Sequence, residues 1–308
     1  MDIDLASNPV LPPELERIIF EMAFDTNEPH ANSRLVLVAK RVRSWIRPLI
    51  YSTFILMHSK PFPNMEKCPD FIDIEEICQF AHNLVIGLQL YLSSTAAAPP
   101  TRRSCWGKIV ARRVWPSLSK LSKLRRLSAD IRHLPSKQFL SATFCPHLTH
   151  LEIRQPSEDW EPEDLISLTI LTHFAIRIST RDSPDRLDYK RLGAVVRACL
   201  SLRVFVLYNP FEGIPSDAED LYAAEYRMVL IDISLFSLGH WKRGEKGDND
   251  NWAYAEQVVL MRRAEYFIDI SEDARVTDSI YPGFSWDERL TEEGMEWVKS
   301  SILSELLE

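Results

Sequence analysis

The chain has 308 residues, 45% of them hydrophobic and 26% charged, and a formal charge of −8. Those figures fit one large globular domain or two small ones and exclude a disordered or fibrous chain. The longest wholly apolar runs, residues 35–39 and 204–208, fall far short of the ~20 that a bilayer crossing requires.

The first helical pattern opens with Leu11-Pro12-Pro13-Glu14-Leu15. Proline suits a first helical turn, and Glu14 and Glu16 suit the positive end of the helix dipole. Leu15, Ile18, Ile19, Met22 and Ala23 then form one apolar stripe. Asn32 or Ser33 is expected to cap a second helix through Leu35, Val38 and Ala39, and a third runs from Val42 through Trp45, Ile46 and Leu49 to Tyr51. Three short helices in about forty residues cannot bury this much apolar surface among themselves, so part of it must meet another chain or the rest of this one.

Charge is unevenly spread. Residues 1–129 hold 17 Lys/Arg against 12 Asp/Glu, whereas residues 130–308 hold 19 against 32. A basic, acid-free block from 78 to 129 reads as a solvated helical face. No aromatic stacking motif accompanies it, and nucleic acid is not the expected partner. The acidic start Met1-Asp2-Ile3-Asp4 and the lack of any Asn-x-Ser/Thr acceptor argue against secretion. Five cysteines at irregular spacing read as reduced thiols, so the expected location is cytoplasm or nucleus.

Strand-like steps recur next: Tyr51-x-x-Phe54-x-Leu56, Val85-x-x-Leu88-x-Leu90, Leu124-x-x-Leu127-x-Ala129, Leu148-x-x-Leu151-x-Ile153, Leu171-x-x-Phe174-x-Ile176 and Leu202-x-x-Phe205-x-Leu207. Alternate side chains of such a step enter a core while each strand pairs with its neighbour. Helices are expected over 70–81, 106–120 and 189–199. Ser216 to Glu219 forms a capping box for a helix through Tyr226, and 228–235 alternates as a strand. Asn251 is expected to cap a helix through Trp252, Ala255, Val259 and Arg263. A last helix from Thr291 to Leu306 would close the open end of the stack.

Enzyme signatures are absent from the sequence: no Gly-x-Gly-x-x-Gly, Walker loop, His-Glu-x-x-His or Gly-x-Ser-x-Gly occurs. Cys145, His147 and His150 lie close together without a fourth ligand at finger-like spacing, so no metal is expected there. The acidic loop at 247–251 lacks the glycine and the twelfth-position Glu of a calcium loop. No catalytic residue and no cofactor is expected.

The pattern at 11–51, "LPPELERIIFEMA" followed by "LVLVAKRVRSWIRPLIYSTFIL", resembles an F-box, more narrowly that of the F-box-like proteins of mushroom-forming (basidiomycete) fungi. The string "YRMVLIDISLFSLGHWKRGEKGDNDNWAYAEQVVLMRR" resembles the closing segment of the same proteins. The resemblance implies a three-helix F-box at 1–52. The recurring Leu-x-x-Leu steps add the expectation of an α/β chain whose residues 53–308 form an irregular leucine-rich-repeat-like solenoid with a C-terminal helical cap, against a generic α/β domain whose strands match by chance. The resemblance also implies a non-enzymatic substrate receptor of a Skp-cullin-F-box ubiquitin ligase. Leu11, Pro12, Leu15, Ile18, Ile19, Val38 and Trp45 would hold the Skp adaptor, and the solenoid a protein target of unknown identity. Candidate target loops are 155–163, with Trp160, and 242–252, whose tryptophans either anchor a partner or pack locally. The alternative is an F-box-derived scaffold that no longer engages the adaptor.

Overall fold

The structure, a computed structural model, describes residues 11–24, 29–57, 79–87, 121–132, 134–157, 159–177, 188–209, 216–232, 250–263, 291–293 and 296. Helix α1 (Pro13–Ala23) starts on proline with Glu14 and Glu16 in its first turn, as the sequence predicts. Helix α2 (Pro29–Val38) begins three residues before the expected cap Asn32, because Pro29 already has the φ of a first helical residue. Helix α3 (Lys40–Ile50) follows the extended Ala39 and buries Val42 and Ile46, one turn apart. Pro48 sits in its last turn.

Seven parallel strands follow in one sheet: β1 (Thr53–Met57), β2 (Asn83–Gly87), β3 (Arg126–Asp130), β4 (His150–Gln155), β5 (His173–Arg177), β6 (Val204–Asn209) and β7 (Met228–Asp232). Their order in space is their order in the chain. Each strand therefore pairs only with its sequence neighbours, the one-dimensional arrangement of a stacked α/β chain.

The register corrects one expectation. Phe54 faces Leu84, which faces Leu127, so the second repeat is Ala81-x-x-Leu84-x-Ile86 rather than Val85-x-x-Leu88-x-Leu90. The expected alignment had slipped by four residues. An even slip keeps every side chain on its face, so alternation alone does not detect it.

One face of the sheet carries Leu84, Ile86, Leu127, Leu151, Ile153, Phe174, Ile176, Phe205, Leu207 and Met228 into a single continuous core. The leucine three positions before each pair is buried as well: Leu124, Leu148, Leu171 and Leu202. Each donates its N–H to the carbonyl three residues earlier (3.0–3.2 Å), so one turn feeds four successive strands. Just before the strands, one carbonyl accepts two N–H groups of the next repeat. Ser52, His82, Arg125, Thr149 and Thr172 supply these acceptors in series, at 2.8–3.1 Å.

Short elements cover the core: α4 (Ser136–Leu140), 3-10 turns at Cys145–His147 and Pro162–Ser167, α5 (Tyr189–Ala198) and α6 (Ser216–Ala224). Asp188 caps α5 by accepting from the Arg191 N–H at 2.9 Å. Helix α6 ends two residues before the expected Tyr226, because Tyr226 already turns the chain into β7. Residues 79–80 form a turn, so the helix expected over 70–81 does not reach its predicted end. Its remainder, and the helix expected over 106–120, lie outside the described residues. Of the helix expected from Thr291, Glu292, Glu293 and Glu296 are helical, and the rest lies outside the described residues.

Helix α7 (Asn251–Arg263) lies on the opposite face of the sheet. There Trp252, Ala255, Val258, Val259 and Met261 pack against Ala175, Val204, Val206, Tyr208, Val229 and Ile231. Its cap is Asp250, one residue before the expected Asn251. The Asp250 Oδ1 accepts from the N–H groups of Trp252 and Ala253, both at 2.9 Å. Asn251 instead turns its amide to the Tyr208 hydroxyl at 3.3 Å, which fixes α7 to β6.

Candidate functional site

Two surfaces stand out, the outer face of α1 and α2 and the second face of the sheet. Along α1 and its C-cap the residues at 16, 20, 21 and 24 are partly covered, whereas Leu15, Ile18, Ile19 and Met22 are exposed. Glu16 explains the orientation: its Oε1 accepts from Arg41 Nη2 at 2.7 Å and from Nε at 3.1 Å, which ties this edge of α1 to α3. An Arg17–Glu21 pair at 2.7 Å braces the same helix. No residue of α1 is buried, and Met22 is 81% exposed. On α2, Leu37 is 82% and Val38 61% exposed.

Of the seven residues expected to hold an adaptor, Leu11, Pro12, Leu15, Ile18, Ile19 and Val38 are exposed and Trp45 is half-buried. Full burial of such a Leu or Ile is worth about 1.5–3 kcal/mol, so half-exposed side chains leave on the order of 1 kcal/mol each for a partner. Exposed apolar stripes of this kind mark docking surfaces.

The second face of the sheet is polar toward β3–β5. Glu152 and Ser128 are fully buried, and Arg154 reaches back between them. Its Nε donates to the Ser128 hydroxyl at 3.0 Å and lies 3.4 Å from Glu152 Oε1. Burial draws the Arg177 guanidinium below its ordinary range, against the pull of Glu152 and with added repulsion from Arg154. Burial also raises the Tyr208 hydroxyl well above its usual range, so it stays protonated. The face thus buries two guanidiniums beside one carboxylate, and the Ser128 hydroxyl accepts from the nearer guanidinium.

Closer to the start of the strands, His150 and His173 lie face to face, with ring centroids 4.1 Å apart and planes 2° from parallel. Trp252 of α7 stands 5.5 Å from both rings at 75°, beside the stack rather than over either ring. Threonine hydroxyls hold the two rings. Thr149 Oγ1 donates to the Arg125 carbonyl (3.1 Å) and touches His150 Nδ1 (2.9 Å). Thr172 Oγ1 donates to the Thr149 carbonyl (3.0 Å) and touches His173 Nδ1 (2.8 Å). A hydroxyl that donates its only proton to a carbonyl accepts from the ring, so each Nδ1 carries a proton in this arrangement. His173 Nε2 also lies 3.1 Å from Glu256 Oε1 on α7. It donates there either by taking a second proton or by diverting the Thr172 hydroxyl from the Thr149 carbonyl.

Burial lowers the His150 pKa to about 2, with His173, Arg126 and Arg203 pushing the same way. Burial also holds His173 below its usual range, although Glu256 opposes it. A histidine with a depressed folded pKa stabilises the fold above its unfolded value near 6.5, and that contribution is lost as pH falls below it. His150 alone should therefore cost the fold about 1 kcal/mol between pH 7 and pH 5.5. Urea unfolding at the two pH values checks this, and His150→Phe should flatten the difference.

The structure separates the remaining sequence candidates. Cys145 is buried in the first-face core, donates to the Phe139 carbonyl at 3.1 Å, and has its thiol pushed up to about 12 by burial. His150 lies on the opposite face, and no group of three His, Cys, Asp or Glu among the described residues could hold a metal. Trp160 packs locally, buried against Phe174 with centroids 6.4 Å apart, and Trp252 is buried between α7 and the sheet, so neither is an exposed anchor. Of the candidate loop 242–252, residues 242–249 lie outside the described residues. No family model and no curated protein matches the chain.

Proposed function

We propose that the chain is a substrate receptor of a Skp-cullin-F-box ubiquitin ligase, with α1–α3 as an F-box-like module and the stacked sheet as a degenerate leucine-rich-repeat solenoid. The observation that carries this reading is the outward apolar face. Six of the seven side chains that the F-box resemblance assigns to the adaptor are exposed, although their helix has a partly covered edge of its own. An amphipathic helix presented this way suits a hydrophobic groove on a partner.

The sheet supports the second half of the reading. Steps of 24 and 23 residues separate Leu124, Leu148 and Leu171, within the range of leucine-rich repeats, and each strand lies beside the next in sequence. The regular repeat asparagines are absent from this sequence. Thr149 and Thr172 bond neighbouring turns with their hydroxyls instead. In this role the chain performs no chemistry and needs no cofactor; it holds a target near a charged conjugating enzyme. It would work in the cytoplasm or nucleus, and among the described residues no helix is long and apolar enough to cross a membrane.

Co-purification with a fungal Skp adaptor tests the proposal. The parent chain should capture the adaptor. Leu15→Ala, Ile18→Ala, Ile19→Ala should weaken capture by about a hundredfold or more, at over 1 kcal/mol for each anchoring side chain. Circular dichroism should show the variant still folded, because none of the three is buried. A folded parent chain that captures no adaptor leaves the F-box-derived scaffold in its place.

A further inference from the structure

Helix α7 is held to the sheet through side chains: near its C-terminal end Arg262 donates to the carbonyls of Tyr222, Glu225 and Met228, and at its start charged groups gather around one pair of rings. Asp250 pairs with Arg126 of β3, Glu256 lies 3.1 Å from His173 and 3.3 Å from Arg203, and Trp252 lies against the edges of both histidines. The charges around the rings are thus two cations, Arg126 and Arg203, and two carboxylates, Asp250 and Glu256. With neutral histidines they balance.

Protons upset that balance unequally. A proton on His173 meets Glu256, but Glu256 already serves Arg203. A proton on His150 meets the cations Arg126 and Arg203 and, once it too is protonated, His173. Two imidazolium rings 4.1 Å apart then repel across a buried gap.

The element that gives way is set by what holds each part. β4 and β5 are bonded on both sides, to β3 and β6 as well as to each other. Helix α7 has no ladder bond to the sheet. Moving it away wets both rings, separates Trp252 from their edges, and uncovers Ala175, Val204, Val206, Val229 and Ile231.

We propose that α7 is a proton-released strap, closed over the second face of β5–β7 while His150 and His173 are neutral and detached when both carry protons. The device lies at the opposite end of the chain from α1 and does not depend on adaptor binding.

Amide hydrogen exchange of the full chain at roughly pH 7.5 and pH 5, corrected for intrinsic rates, tests it. An opening that takes up one proton grows about tenfold for each pH unit below the open-state histidine pKa near 6.5, and a two-proton opening grows more steeply. Protection in α7 should fall accordingly while that of α5, under the other face, holds. In a His150→Phe, His173→Phe chain the α7 loss should vanish.

Should that variant not fold, ring-proton NMR of the parent chain decides: the midpoints of histidine titration and α7 opening must coincide. The strap is overturned if α7 keeps its protection in acid, if α7 and α5 lose it together, if the folded variant still opens, or if the two midpoints differ.

Discussion

Phe205→Ala should destabilise the fold by about 3–5 kcal/mol, the range for deleting a buried aromatic ring. Phe205 is the second residue of β6 and has no exposed surface, and its ring stacks on Phe174 at 5.6 Å and 9°. Phe174 in turn stacks on Trp160. The missing ring would leave a gap between strands whose register pairs Phe174, Phe205 and Met228 across three repeats. Backbone ladders on both sides keep those strands from closing over it. Against a total stability of roughly 5–15 kcal/mol, this loss would leave little margin. Phe54→Ala should cost less, since β1 has one sheet neighbour among the described residues and Phe54 keeps some exposure. Urea unfolding of both variants checks the order. A loss below about 1 kcal/mol for Phe205→Ala would mean that the aromatic row is not one fused core.

That row was legible in the sequence, because Leu171-x-x-Phe174 and Leu202-x-x-Phe205 share both spacing and phase. The same spacing identified β3, β4 and β6, and alternation identified β7. It failed at β2, where Leu84, Ile86, Leu88 and Leu90 share one parity and only the pairing of Leu84 with Phe54 and Leu127 selects the register. The outward face of α1 was legible as a stripe, but its direction was not. That depends on Arg41 reaching Glu16 across 25 residues of chain. The histidine stack was missed although a signal existed. Thr-His occurs at 149–150 and again at 172–173, in the same position relative to each Leu-x-x-Leu step, and parallel in-register strands must place the rings side by side. The face chosen by α7 had no comparable signal. Its cap was assigned to Asn251 because Asp250 and Asn251 are equally good caps by type, and the difference lies in the Tyr208 hydroxyl that Asn251 meets.

Arg227→Ala should cost about 3–5 kcal/mol, the range for removing one partner of a buried ion pair. The Arg227 side chain is 13% exposed and that of Glu225 only 4%. The guanidinium donates to both Glu225 oxygens, at 2.8 and 3.0 Å. Its remaining N–H groups fill the end of α5 and the turn after it, reaching the carbonyls of Val196 (3.0 Å), Cys199 (3.3 Å) and Leu202 (3.1 Å). Alanine would strip a carboxylate of its cation and leave the carbonyls of Val196 and Leu202 without this donor, while Cys199 keeps the Leu202 N–H. Lysine should restore less than half of the loss, because a point charge cannot fork to the carboxylate while capping a helix. Glu225 adds a pH signature. Burial alone would raise its carboxyl, but the hydrogen bonds and charge of Arg227 outweigh it and hold the group below its ordinary range. The pair therefore stabilises the fold above the unfolded carboxyl pKa near 4.3, and loses that contribution as pH falls through the folded value. Glu225→Gln should remove this part of the acid sensitivity in urea titrations and lower stability at pH 7. Arg262 repeats the arrangement further along: it donates to the carbonyls of Tyr222 in α6, Glu225 after it and Met228 at the start of β7, with its guanidinium 3.8 Å from the Tyr222 ring centroid. The ends of α5 and α6 are thus each closed by an arginine from further along the chain. Loss of Arg227 should accordingly loosen α5 and β7 together, measurable as a joint fall in their amide protection.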